Sequence, residues 1–336
     1  MKRLNYIILL ISLLFTFTGC TKKSRFEINT SKEKVDVTIH RFDKDLINLD
    51  ISKLNQSVDA LYKTYSSFLP LYIYNVLDTL PEDTLAVAGM MKQFVQDTSF
   101  ISVNKKVMET FSDISDIEKD ISGGFTYIHH YFPKLPLPEV YFFVSGFNRS
   151  VLMTDSILGV GTDFYLGADY EPYKSFTYDY LLQNMRRESL AIDVVSATLF
   201  RYFSFDGTNN ALIDNMLHRG KVIYLLSVFM PGKKMNDIIG YTTEQWKWAE
   251  QYEEEIWKTV VGKKHLFSTD MQLISKYMND APFTSLVSQD SPGRLGTWIG
   301  WRIIKSYMER NENVTLEQLM KENNYRKILE QSHYKP

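Results

Sequence analysis

Apolar residues change their spacing several times along this chain, and each change predicts a different element. From Ile7 to Phe17 they are almost continuous, in a run too short to span a bilayer. Val35, Val37 and Ile39 then alternate with Asp36, Thr38 and His40, the period of a half-buried strand. After that the spacing turns helical. Leu54, Val58, Leu61, Tyr62 and Tyr65 share one face, and so do Ile114, Ile117, Ile121, Phe125 and Ile128. Pro70 and Pro81 punctuate this stretch, and Pro133, Pro136 and Pro138 form a stiff connector at its end.

Residues 139–167 have a different texture. Val140-Tyr141-Phe142-Phe143-Val144, Val151-Leu152-Met153, Ile157-Leu158 and Phe164-Tyr165-Leu166 are short strand candidates separated by glycines. They predict a small antiparallel sheet joined by Val35 to Ile39. Helical spacing returns over Asn184–Phe203, Ala211–Phe229, Gln245–Val261, Met271–Met278, Gly293–Glu309 and Leu316–Leu329. Thr242-Thr243-Glu244-Gln245 has the capping-box form, and Pro231-Gly232 stops the second of these helices. No internal repeat or low-complexity linker divides the chain. The expected fold is α+β: a predominantly helical single domain, residues 35–336, around a small antiparallel sheet.

The start of the chain changes this picture most. Lys2 and Arg3 precede the apolar run, and Phe17-Thr18-Gly19-Cys20 closes it. That is the order of a secretory signal, and the sole cysteine after Thr18-Gly19 matches a bacterial lipobox. Residues 1–19 are read as a signal peptide, Cys20 as the lipidation site, and residues 20–34 as a lipidated tether. The chain would then face an extracytoplasmic compartment with Cys20 as its membrane contact. Thr21, rather than Asp, follows Cys20, which resembles sorting to the outer membrane. The basic Thr21–Arg25 stretch lacks an acidic export signal and favours the periplasmic face. Net charge is −2 with 23% charged residues, so no nucleic-acid partner is indicated.

Candidate chemistry is sparse. Several zinc peptidases follow a sheet with a helix bearing H-E-x-x-H, two histidines one turn apart with a glutamate base. Here Glu188 can take the glutamate place, but Arg187 and Ala191 then fill the ligand places, and neither side chain can bind zinc. His129 and His130 are adjacent and diverge, and the other four histidines are isolated. No nucleophile elbow, phosphate loop or dinucleotide fingerprint is present, and no cofactor is called for. Glu253-Glu254-Glu255 reads as a solvated helix face, and Asp155 and Asp163 as turn residues.

The richest constellation is Ser291-Pro292-Gly293-Arg294-Leu295-Gly296-Thr297-Trp298-Ile299-Gly300-Trp301-Arg302. Gly296 and Gly300 lie one turn apart and admit a close neighbour. All five tryptophans fall between 246 and 301. Two readings stand side by side. One is tight packing of the Trp246/Trp257 helix on the Trp298/Trp301 helix, with Arg294 in a structural ion pair. The other is an aromatic groove with Arg294 reaching an anionic group. Gly220, in His218-Arg219-Gly220-Lys221, reads as a site of close packing, against the sheet for one, with His218, Arg219 and Lys221 on the surface or in a groove.

Together the lipobox, Gly220-Lys221-Val222-Ile223-Tyr224, Trp246 to Trp257 and the Ser291–Trp301 phrase resemble the gliding motility lipoprotein GldB family of Bacteroidetes, most strongly over residues 210–310. The resemblance implies an envelope lipoprotein associated with gliding machinery and its linked secretion apparatus, and no known reaction. The same phrases are similar to predicted zinc-dependent peptidases, whose third ligand near Gly220 would also be missing here. A zincin-like frame without peptidase chemistry is the expectation: a non-catalytic lipoprotein holding a protein or peptide partner. Its cleft would lie between the sheet edge, the Glu188 helix and the Arg294–Trp301 segment. Glu188, Arg219, Lys221, Arg294, Trp298 and Trp301 would line it, and an extended peptide could add to the sheet edge. A hydrolase with an unrecognised site and a glycan-binding lipoprotein are the alternatives.

Overall fold

Helical spacing becomes helix almost wherever it occurs. The computed structural model describes residues 24–30, 33–205 and 211–336. The expected signal peptide and Cys20 lie outside them. In the first half the helices are α1 (Phe42–Ile47), α2 (Leu54–Thr64), α3 (Leu69–Asn75), α4 (Thr84–Gln96), α5 (Thr98–Thr110) and α6 (Ser115–Tyr131). Asp83 caps α4 and Asp97 caps α5, each accepting from a backbone N–H of the first turn. Pro70 sits in the first turn of α3, where a missing N–H costs nothing.

The sheet follows: β1 (Glu139–Phe143), β2 (Val151–Met153) and β3 (Ile157–Gly161), in the order β1-β3-β2. It is mixed, which corrects the expected antiparallel sheet. β1 runs parallel to β3 with Val140 opposite Leu158, while β2 pairs antiparallel with Gly159 opposite Leu152. The cause lies in β3, whose five residues are all buried. A strand covered on both faces takes the central place, so β2 becomes the return stroke between two parallel neighbours. Phe164–Leu166, expected as a strand, instead leaves a 3-10 turn at Thr162–Phe164. There the buried Asp163 carboxylate accepts from the Ser145 and Phe147 backbone N–H groups, at 3.2 and 2.7 Å. These bonds hold the turn after β1 and pull the chain out of the sheet.

Val35–Ile39 does not join the sheet either. It lies extended along α6, which offers one acceptor per turn. The N–H groups of Val35, Val37 and Ile39 donate to Thr126 Oγ1, Ser122 Oγ and Glu118 Oε1 at 3.0, 2.9 and 3.0 Å. Two strand residues advance about 6.7 Å and four helix residues about 6.0 Å, so the two ladders stay in step over three rungs. Only His40 reaches β1: its N–H donates to the Val140 carbonyl, and its own carbonyl accepts from Phe142. The segment expected as a tether is also seated. Phe26 is 8% exposed, and its carbonyl accepts from Tyr131 Oη at 2.8 Å.

The second half contains α7 (Asp179–Leu182), α8 (Arg187–Tyr202), α9 (Leu212–Phe229), α10 (Met235–Ile239), α11 (Thr243–Gln251), α12 (Glu253–Gly262), α13 (Met271–Met278), α14 (Leu295–Arg310), α15 (Leu316–Lys321) and α16 (Tyr325–Ser332). The helix expected over Gln245–Val261 breaks at Tyr252. Past the break, Glu253 turns inward and accepts from Arg302 and Tyr334 at 2.6 Å each, so it is no part of a solvated face. The helix expected over Leu316–Leu329 is likewise divided, where the Asn324 side chain caps α16.

α9 and α14 form the central pair, and glycines set their separation. A Cβ on Gly220 would lie 2.4 Å from the Gly300 carbonyl carbon, and one on Gly300 would lie 1.9 Å from the Met216 carbonyl oxygen. Gly296 does the same for α13, facing the Tyr277 carbonyl at 3.0 Å and the Met278 sulfur at 2.4 Å. The two glycines one turn apart on α14 therefore serve two different neighbours. Gly220→Ala should cost about 3 kcal/mol, because the obstructing atoms are backbone and cannot rotate away. Gly89 in α4 is exposed with open space around it, so Gly89→Ala should instead stabilise by about 1 kcal/mol. Urea unfolding of the two variants checks both signs.

Candidate functional site

The tryptophans resolve into core. Trp298 is fully buried, with Trp246 edge-on at 4.6 Å, Trp301 at 5.4 Å and Tyr241 stacked at 6.2 Å. Trp301 is 4% exposed and is covered by Arg302 and Lys305. Neither ring faces a groove. Arg294, in the left-handed region at φ 57, is the N-cap residue of α14. Its guanidinium donates to the Ile239 carbonyl at 2.8 Å and pairs with Asp280 at 3.0 Å. It thus pins the end of α10 to the start of α14.

The two arginines at the start of α8 clasp different neighbours. Arg186 pairs with Asp237 at 2.6 Å. Arg187 grips Asp116 at 2.6 Å and the carbonyls of Thr110 and Asp113. Ala191 is buried, and Glu188 is exposed on the first turn of α8. Of the would-be zinc places, one thus holds an arginine that ties α8 to α6 and the other a buried alanine, and no group of metal-ligating side chains occurs among the described residues.

Arg219 and Lys221 leave α9 on different sides. Lys221 is 1% exposed. Its ammonium donates to the Glu322 carbonyl and lies 4.8 Å from the Tyr325 ring centre. Burial lowers its pKa to about 8, against a smaller opposing pull from the Glu322 carboxylate. Arg219 is exposed, with its guanidinium 5.3 Å from the Phe200 ring centre. Among the described residues it has no salt-bridge partner. Desolvation by the surrounding protein, and then the Arg294 charge, hold its pKa below the usual guanidinium value, partly offset by Asp280. It remains a cation, and an anion placed beside it would relieve both effects.

This charge opens on a groove of about 300 Å³ lined by Phe200, Phe205, His218, Arg219, Met271 and Met278. Next to it, Arg294 also acts on Asp193 of α8. Asp193 is exposed but closely surrounded by protein. Desolvation raises its pKa to about 6, while a 2.9 Å hydrogen bond from Tyr165 Oη and the Arg294 charge oppose that rise. Arg219 is thus the one of these charges that lines the apolar groove, with Arg294 and Asp280 acting on it and Arg294 acting also on Asp193. Of the residues expected to line a cleft, only Arg219 and Arg294 come together here. Asp193 and Tyr165 went unforeseen. The signal for Asp193 was one carboxylate inside Leu190-Ala191-Ile192-Asp193-Val194-Val195, a stretch buried at every other position. The sheet edges offer a peptide little: His40 bridges part of β1's outer edge, and β2 has three residues.

Residues 23–336 match the family model described as gliding motility protein GldB. Neither a curated protein nor a solved structure matches.

The unfolded chain holds the Lys221 proton up to a pKa near 10.5 and the folded chain only to about 8. The unfolded state thus binds more protons in that window, so stability rises with pH through it, and the buried charge costs stability below pH 8. Lys221→Met should raise stability at pH 7 by up to about 3 kcal/mol and flatten the rise, as read by urea unfolding at pH 7 and pH 10.

Proposed function

The chain belongs to the gliding motility protein GldB family, and on that premise we propose that it is a membrane-anchored envelope lipoprotein, without catalytic activity, that holds a protein or peptide partner in the Arg219 recess. The observation that carries this reading is Arg219 itself, a desolvated guanidinium with no salt-bridge partner among the described residues, beside an apolar groove. Such a group binds a carboxylate, and Phe200, Phe205 and Met271 can take an apolar side chain next to it. Asp193 offers the opposite charge for a partner's cation. A segment carrying both charges around one apolar residue satisfies every part of the recess.

The non-catalytic reading rests on donor chemistry. Arg187 and Ala191 cannot ligate zinc, and Asp163, the other carboxyl raised to about 6, is sealed from substrate. In the envelope the protein would serve the gliding machinery and its linked secretion apparatus, from the outer membrane and facing the periplasm.

Affinity capture with membrane-extracted protein tests this. Arg219→Gln and Asp193→Asn should each weaken partner retention by roughly tenfold while leaving the unfolding midpoint within a degree or two of wild type. Because Asp193 takes up its proton near pH 6, retention that depends on its charge should fall between pH 7.5 and pH 5 in wild type and not in Asp193→Asn. Undiminished capture by both variants would sink the recess as the partner site.

A further inference from the structure

The sequence puts the lipid anchor at Cys20, and the structure fixes the chain from Ser24 onward, leaving only Thr21, Lys22 and Lys23 between them. The fixing is specific. The Glu27 N–H closes a turn onto the Ser24 carbonyl at 2.9 Å. Arg25 donates to the carbonyls of Glu312 and Val314, and Phe26 enters the core against Tyr131. Four residue steps reach at most about 14 Å, whereas a compact body of this size is roughly 50 Å across. A link that short cannot let the body turn freely beneath its anchor.

We infer that the protein lies flush on the bilayer through one defined face. That face comprises the Ser24–Thr30 segment, the C-terminal end of α9 with the Pro231–Lys234 loop, and the Glu312–Val314 turn. The partner is the lipid surface itself. Ser24, Glu27 and Thr30 line a cleft of about 740 Å³ together with Lys119, Met230 and Lys233, so these residues share the face. Arg25 and Lys119 add exposed cationic charge there that anionic headgroups attract, while Lys233 is paired with Asp120 of the same cleft. The groove at Arg219 then sits ten residues, some 15 Å along the helix axis, from the membrane end of α9.

This orientation rests on the lipid-anchor reading, and one experiment separates the two. Cys20 is the chain's one cysteine and is consumed by the anchor, so an introduced cysteine labels uniquely. Gly232→Cys is a fitting probe: the position is exposed, has open space for a Cβ and no positive φ. Leu85→Cys, 81% exposed on α4, which packs on α2 and α5, is the remote control. The full-length lipidated protein, labelled with a fluorophore, is mixed with phosphatidylethanolamine–phosphatidylglycerol vesicles carrying a headgroup nitroxide lipid. The expected result is co-flotation of both, with quenching several-fold stronger at Gly232→Cys. A glycine–serine insertion of about twenty residues between Lys23 and Ser24, spanning roughly 25 Å, should abolish the difference and keep flotation. Co-flotation with equal quenching at both positions would overturn the orientation. Failure to float would overturn the anchor and the orientation with it.

Discussion

Where α9 crosses α14 no side chain stands between the two helices, and the carbonyls of Met216 and Gly300 occupy the space a methyl would need. The positions of the other C-terminal elements follow from that contact. α14 can approach α9 closely only by presenting Gly300, and the next turn, at Gly296, is left free to receive α13. α13 in turn ends at Asn279 and Asp280, and Asp280 pairs with Arg294. Arg294 pins α10, whose left-handed Gly240 leaves no room beside the Arg294 guanidinium. Arg219, one residue before Gly220, inherits its place in the recess from this crossing. A loosening at the glycines would therefore displace the charges as well as the core.

The recess is an electrostatic by-product of that packing. Arg294 is committed to Asp280 and two backbone carbonyls, yet its field reaches Asp193 on one side and Arg219 on the other. It lowers the cost of ionising Asp193 and raises the cost of keeping Arg219 charged. One structural cation thus acts on two exposed groups, Arg219 with no salt-bridge partner among the described residues and Asp193 held by the Tyr165 hydroxyl. Asp163 contrasts with them. Desolvation raises it to about 6 as it does Asp193, but here three donors from Ser145 and Phe147 oppose the rise instead of one hydroxyl and a nearby cation. The same titration behaviour marks a structural pin in one case and a candidate contact in the other, and exposure tells them apart.

Element positions were largely legible because periodicity reports a face directly: Met271–Met278 and Val151–Met153 fall where their spacing puts them. The glycines of α9 and α14 announced a close approach, although not which backbones would meet. What the sequence concealed was partner choice. Alternation in Val35–Ile39 says that one face is buried, not that the hydrogen bonds come from side chains of a helix. Glu118, Ser122 and Thr126 recur every fourth residue, but that recurrence has meaning only beside a strand. The tryptophans misled in the same way, since a helical aromatic stripe has one signature whether it faces a groove or another helix. Asp193 was hidden by its surroundings, because a lone charge in an apolar helix points equally to a buried pin and to a ligand contact.

The bonds from Arg25 to Glu312 and Val314 join residues 287 and 289 positions apart. A contact of such separation closes nearly the whole chain into one loop, and its closure entropy is offset only when almost everything between is already ordered. The start of the described chain and the turn after α14 therefore share one fate: whatever loosens the Glu312–Val314 carbonyls also frees Arg25, and with it the Phe26 ring seated against Tyr131.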